Sequence, residues 1–184
     1  MYQTVKNRKI RIAVLGCGRI SKNHFSSIEK HGDNIELVAV CDSNPTILKA
    51  HSSKYSVPGY LRLEDMLQTE KLDILAICTP SGLHPDQTVT AARHGVHIMT
   101  EKPMATRWQD GLRMVRACDE ARVRLFVVKQ NRCNSTLQLL KRAVEEKRFG
   151  RIYMVHINVF CPAPRSITIP PSGAAPGSWM VVRS

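Results

Sequence analysis

The chain has 184 residues, enough for one well-packed domain and part of another, and its 43% hydrophobic and 23% charged content is that of a globular protein. No apolar run approaches membrane-spanning length, and the apolar stretch from Ile12 to Cys17 is too short for the core of a signal peptide, so no membrane partner is expected. The net charge of +12 raises nucleic-acid binding, but the basic residues are scattered and no basic stripe is interleaved with the few aromatic ones. No nucleic-acid partner is expected; the charge reads as a solvated basic surface or, equally, as one suited to an anionic nucleotide.

Lys9 to Leu15 alternates charged and apolar residues and then turns fully apolar, which predicts a strand entering a sheet. It runs into Gly16-Cys17-Gly18-Arg19-Ile20-Ser21, and a helix is predicted over Ser21 to Lys30. Ile35 to Cys41 predicts a second strand, closing on Asp42. Pro45 to Lys54 reads as a helix with proline in its first turn, and Leu63 to Gln68 as a short helix. Asp73 to Cys78 is a strand that ends at Thr79-Pro80-Ser81-Gly82-Leu83-His84. A helix follows from His84 to Arg93, with Gly95 as its C-terminal glycine. Val96 to Thr100 is a strand that closes on Glu101-Lys102-Pro103, Ala105 to Ala121 a long amphipathic helix, and Arg124 to Val128 a further strand. Strand and helix alternate throughout, so the expected fold class is α/β, a Rossmann-type doubly wound parallel sheet. Lys129-Gln130-Asn131-Arg132 follows the last of these strands, where ligand-facing loops belong. Thr136 to Lys147 predicts a helix, and Arg151 to Phe160 alternates like a strand of a new, half-exposed sheet.

Six cysteines are spread along the chain with no C-x-x-C pair, so no metal site is expected and a reducing cytoplasm is inferred. Cys41 and Cys78 end apolar strands and read as small buried hydrophobes.

Two motifs carry chemistry. In the first, Gly16 permits a tight turn and Gly18 lets the backbone approach a pyrophosphate, whose charge then rests on the N-terminus of the next helix. Ser21 stands where a third glycine usually sits and is the next smallest choice. Asp42 lies 26 residues past Gly16, a little beyond the spacing of about 20 expected for the acid that binds the adenosine ribose. An acid there repels a 2′-phosphate, and Ser43-Asn44 supply no arginine to welcome one, so NAD rather than NADP is the expected cofactor. The second motif is Glu101-Lys102-Pro103. In an open α/β sheet the carboxyl ends of strands face the ligand crevice, and a lysine held there can act as acid or base. In isolation the same string also reads as a surface Glu-Lys pair; its company with the first motif favours the functional reading.

In order and spacing, Gly16-Cys17-Gly18-Arg19-Ile20, Cys78-Thr79-Pro80-Ser81 with His84, Gly95-Val96-His97 and Glu101-Lys102-Pro103 resemble the glucose-fructose oxidoreductase / inositol dehydrogenase (Gfo/Idh/MocA) family over residues 10 to about 160. Lys129 to Arg132 is similar to one branch, the UDP-N-acetylglucosaminuronate 3-dehydrogenases of bacterial lipopolysaccharide O-antigen synthesis, and departs from it at Cys133, usually aromatic there. The resemblance implies that Gly16, Gly18, Arg19 and Ile20 hold the pyrophosphate and Asp42 the ribose. It implies that Thr79, Pro80 and His84 line the cofactor cleft, with Glu101 and Gln130 toward the nicotinamide. Lys102 would bond the reacting sugar hydroxyl, and Asn131 and Arg132 would face a UDP-sugar, the arginine fork suiting a uronate carboxylate. The implied reaction is hydride transfer from carbon 3 of the sugar to NAD. His84 reads equally well as a residue that satisfies backbone groups, and Arg132 as an ordinary surface arginine. Truncation is expected to impair the implied activity, and a non-catalytic NAD-binding module or a pseudogene product without activity is the competing reading for the whole chain.

Residues 1–128 are thus expected to form the NAD-binding domain and 129–160 the incomplete start of an α+β substrate domain. The family oligomerises through the sheet of that domain, a contact in doubt here. Residues 161–184 are rich in Pro, Gly and Ala and lack periodicity. The codons of Trp179-Met180, read one frame off, encode Asp-Gly, and those of Val181-Val182-Arg183 permit Gly-Ala, matching an Asp-Gly-Gly-Ala segment of the family. The expectation is a disordered tail read out of frame beyond about Phe160, lacking the family's second active-site residue, a histidine. A natural divergent tail is the alternative.

Overall fold

The structure, a computed structural model, describes residues 5–158. The chain divides into two compact units between Val128 and Lys129.

The first unit is a six-stranded parallel sheet: β1 (Ile10–Leu15), β2 (Ile35–Cys41), β3 (Gly59–Tyr60), β4 (Ile74–Ile77), β5 (His97–Thr100) and β6 (Leu125–Val127), in the order β3-β2-β1-β4-β5-β6. The helices are α1 (Ser21–Lys30), α2 (Pro45–Tyr55), α3 (Leu63–Thr69), α4 (His84–Arg93) and α5 (Trp108–Glu120). Strand order turns back on itself beside β1, and helices cover both faces. This is the doubly wound α/β arrangement that the alternation of patterns predicts.

The two-residue period of a strand decides which face each side chain serves. Ile12 and Val14 pack with Val40, Ala76, Phe25 and Ile28 on the α1/α2 face. Ala13 and Leu15 pack with Ala39, Leu75, Ile77 and Ile98 on the face of α3, α4 and α5. Buried on both sides, the central strands read as continuous apolar runs. Cys41 and Cys78 are buried in these two clusters, as expected of small hydrophobes.

Local chemistry sets several boundaries. Asn44 caps α2, its Oδ1 accepting from the N–H of Thr46 at 3.0 Å and Ile47 at 3.2 Å, and Pro45 opens the helix. Gly95, at φ 75°, ends the turn after α4. Helix α5 starts at Trp108, three residues later than the amphipathic pattern suggested. Residues 101–107 are needed instead as a loop that folds over the helix, Met104 lying against Gly111 so closely that a Cβ there would sit 3.1 Å from its methyl. The two-residue strand β3 is too short to leave a periodic signal and forms because Val40 and Cys41 offer it an edge.

The second unit contains a short 3₁₀ turn, Gln130–Cys133, and α6 (Ser135–Glu145), capped by Asn134. The strand expected over Arg151 to Phe160 does not form within residues 151–158. Alternation assigns faces but supplies no partner strand, and without one Tyr153, Met154, Val155 and Ile157 stay exposed. The rest of that segment and the expected tail of residues 161–184 lie outside the described residues. Among the described residues no helix is long and apolar enough to cross a membrane.

Candidate functional site

The carboxyl ends of β1, β2, β4 and β5 bring the two motifs to one edge of the sheet. Gly16 stands at φ 89°, and a Cβ there would lie 2.9 Å from both the Cys78 carbonyl carbon and the Thr79 nitrogen. Only glycine fits, because the turn after β1 presses on the backbone after β4. Gly18 is different: it is exposed, and a Cβ there would meet nothing within 4 Å. Among the described residues no atom requires glycine at this position, so the space above it suits a ligand.

The third position of the turn is closed by Ser21, fully buried, whose hydroxyl donates to the Gly18 carbonyl at 2.7 Å. No side chain caps α1, whose N-cap residue is Ile20, and no acid occupies its first turn. Its positive end is left for an anion, with Arg19 exposed beside it. Asp42 joins this turn to β2: its Oδ2 accepts the Cys17 N–H at 2.7 Å and its Oδ1 the Asn44 N–H at 2.8 Å. These features fit a dinucleotide, pyrophosphate on the turn and ribose at the half-buried Asp42.

The loop after β4 faces the loop after β5. Thr79 donates to Gln87 Oε1 at 2.5 Å, and Pro80 is exposed. His84 is 1% exposed, with Nε2 2.9 Å from the Thr79 carbonyl and Nδ1 3.1 Å from the Pro103 carbonyl. It therefore ties the two loops together, the backbone-satisfying role, rather than presenting its ring to an open cleft. Glu101 is buried at the end of β5, and Lys102 beside it is exposed, followed by a cis peptide to Pro103.

Glu101 has a partner that the sequence reading missed. His24 of α1 places Nε2 2.8 Å from Glu101 Oε1, with both side chains less than a tenth exposed. The available signal was helical spacing: His24 is one turn past Ser21 and next to Phe25, both inward-facing.

Burial pushes the thiols of Cys17 and Cys78 up to about 12, nearby acids adding to the effect, so neither is a nucleophile at neutral pH. Among the described residues no cluster of three acids, histidines or cysteines could hold a metal. Gln130, Asn131 and Arg132 belong to the second unit, on its 3₁₀ turn, and all three are exposed.

Residues 10–129 match the model of an oxidoreductase family with an NAD-binding Rossmann fold, Gfo/Idh/MocA. The chain is similar to the WlbA dehydrogenase of Bordetella pertussis, solved in complex with NADH and UDP-GlcNAcA: 58% identity, TM-score 0.77, 79% of this chain and 45% of that one. The WlbA structure from Chromobacterium violaceum, with the same two ligands, gives 58% identity and a TM-score of 0.78 over 81% of this chain and 43% of that one. Among curated proteins, a D-apiose dehydrogenase of Paraburkholderia graminis is 31% identical over 80% of this chain and 39% of its own length. A myo-inositol 2-dehydrogenase of Thermotoga maritima is 28% identical over 84% and 46%. The chain thus spans less than half the length of these relatives. On the match over residues 10–129, the chain belongs to the Gfo/Idh/MocA oxidoreductase family and carries its NAD-binding Rossmann domain.

Proposed function

We propose that the chain is the cofactor-binding part of an NAD-dependent dehydrogenase that oxidises a UDP-N-acetylglucosaminuronate-type sugar nucleotide at carbon 3, in lipopolysaccharide O-antigen synthesis. The observation that carries this reading is the 58% identity to two dehydrogenases solved with NADH and UDP-GlcNAcA, over a fold that sets the glycine turn and Lys102 at one sheet edge.

Bound NAD supplies a hydride acceptor. Gly16, Gly18, Arg19 and Ile20 hold its pyrophosphate and Asp42 its ribose. Thr79 and Pro80 border the cofactor from the β4 side and His84 fixes that border from behind, while Glu101 stands behind Lys102. Lys102 Nζ would orient the sugar hydroxyl and, in its neutral amine form, would accept the hydroxyl proton when carbon 3 is oxidised. In the second unit, Gln130 is the residue we assign to the nicotinamide and Asn131 and Arg132 those we assign to the sugar nucleotide, because the arginine fork suits a uronate carboxylate. The full reaction is proposed for a protein that also supplies the substrate-binding part of these relatives.

The test is a titration of the chain with NADH and NADPH, followed by UDP-N-acetylglucosaminuronate with NAD. Saturable NADH binding, and substrate-dependent NADH formation or substrate binding to the NADH complex, support the reading. A chain that binds neither nucleotide sinks it.

A further inference from the structure

We propose that His24 is a positioning residue for Lys102, acting through Glu101, so that the helix under the pyrophosphate site and the lysine loop form one hydrogen-bonded unit. This inference rests on the reading of Lys102 as the group beside the nicotinamide.

The two oxygens of Glu101 look in different directions. Oε1 meets His24 Nε2 at 2.8 Å, and Oε2 accepts the Lys102 backbone N–H at 3.3 Å. The Glu101 N–H donates to the Ile77 carbonyl at 3.0 Å, which fixes the start of the loop on β4. The carboxylate thus bridges α1 to the lysine, with its side chain 8% exposed and that of His24 9%. Water is largely excluded, so the pair is not an exposed ion pair of negligible worth.

On the other side of His24, α1 begins at the turn. Ser21, one turn earlier, is locked to the Gly18 carbonyl at 2.7 Å. A ligand that settles on Gly18 therefore presses on a helix whose next turn holds Glu101. Without His24 the buried carboxylate has lost its side-chain donor and rotates toward other donors, and the Lys102 N–H loses its acceptor.

The experiment compares wild type with His24→Leu, which keeps bulk but no donor, and His24→Gln, whose amide restores one at similar reach. The first readout is the Lys102 amide in the ¹H–¹⁵N spectrum of the full chain without cofactor. The expected result in His24→Leu is a shifted resonance that exchanges about tenfold faster, returning toward wild type in His24→Gln. The second is NADH affinity, expected to fall about tenfold in His24→Leu and to stay within about threefold in His24→Gln. A dispersed spectrum shows that each variant is folded. A lower melting temperature with an unchanged Lys102 amide is the signature of mere packing and overturns the proposal, as does a shift that His24→Gln leaves uncorrected. Failure of the wild type to bind NADH counts against the proposed function instead, because the amide readout needs no cofactor and still decides the role of His24.

Discussion

Asp42 Oδ2 accepts the Cys17 N–H at 2.7 Å, so the acid that ends β2 also shapes the turn that ends β1. The Cys17 and Asn44 N–H groups take about half of its accepting capacity, and the half-buried carboxylate keeps the rest for the ribose we propose there. Asp42→Asn therefore does two things at once. It removes the charge that repels a 2′-phosphate, and it weakens the acceptor that the Cys17 N–H needs. Calorimetric titration should show wild type preferring NADH over NADPH by about tenfold or more, with the preference shrinking in Asp42→Asn because NADH binding falls and NADPH binding does not. Equal affinities in the wild type would refute the assignment.

The two glycines of the turn should separate fold from ligand. Gly16→Ala puts a side chain at φ 89° against backbone atoms 2.9 Å away, and should cost of order 1–3 kcal/mol in urea unfolding. Gly18→Ala meets open space and should unfold within about 0.5 kcal/mol of wild type. Its NADH affinity should nevertheless drop about tenfold, since the methyl would fill the space we propose for the pyrophosphate. A Gly18→Ala chain that binds NADH normally would remove the pyrophosphate from this position.

At the amino-terminal end of the central strands, just before β4, Asp73 accepts two bonds from the Arg8 guanidinium, at 2.6 and 2.8 Å, and one from the Arg11 N–H at 2.8 Å. The Arg8 bonds, and then the Arg11 N–H, hold its carboxyl below the ordinary carboxylate value, with burial opposing. A carboxyl with a lowered folded value stabilises fully above its unfolded pKa of about 4, and that stabilisation is lost as pH falls through the folded value. Thermal melts should therefore show wild type above Asp73→Asn at pH 7, the gap narrowing below about pH 4 and closing in stronger acid. A gap that stays constant with pH would contradict this.

Burial also raises the thiols of Cys17, Cys41 and Cys78 to about 12 and that of Cys118 to about 11, whereas Cys133 is exposed. Iodoacetamide at pH 8 should modify Cys133 first among these five, with the buried four reacting only when urea unfolds the chain. Peptide mass spectrometry reads the order directly. Rapid labelling of Cys17 in the folded chain would mean that the turn opens to solvent.

Catalysis by Lys102 has its own measurement. In a protein that also supplies the substrate-binding part, Lys102→Ala should lower turnover with UDP-N-acetylglucosaminuronate by about a hundredfold or more while NADH affinity stays near wild type, because Lys102 is exposed. Loss of both together would make Lys102 a cofactor ligand rather than an acid–base group.

Much of this protein was legible in its sequence. Apolar runs such as Ile12 to Leu15 and Leu75 to Cys78 mark strands buried on both faces, and alternation with amphipathic segments dictates a parallel, doubly wound order. Glycine at 16 and an acid at 42 mark the dinucleotide turn because a left-handed backbone demands glycine and the ribose proposed at Asp42 calls for an acid. Such signals are local: they depend on period, propensity and backbone conformation within a few residues. What only the tertiary structure decided are the partnerships between residues far apart in the chain. His24 meets Glu101 across 77 positions, and His84 reaches the Pro103 carbonyl across 19, a backbone contact that is one of its two readings and whose partner no local pattern names. Two-residue β3 exists because Val40 and Cys41 offer it an edge, while alternation at 151–158 forms no strand. A hydrogen bond or a strand edge needs a second group at a fixed distance, and no one-dimensional pattern carries that distance.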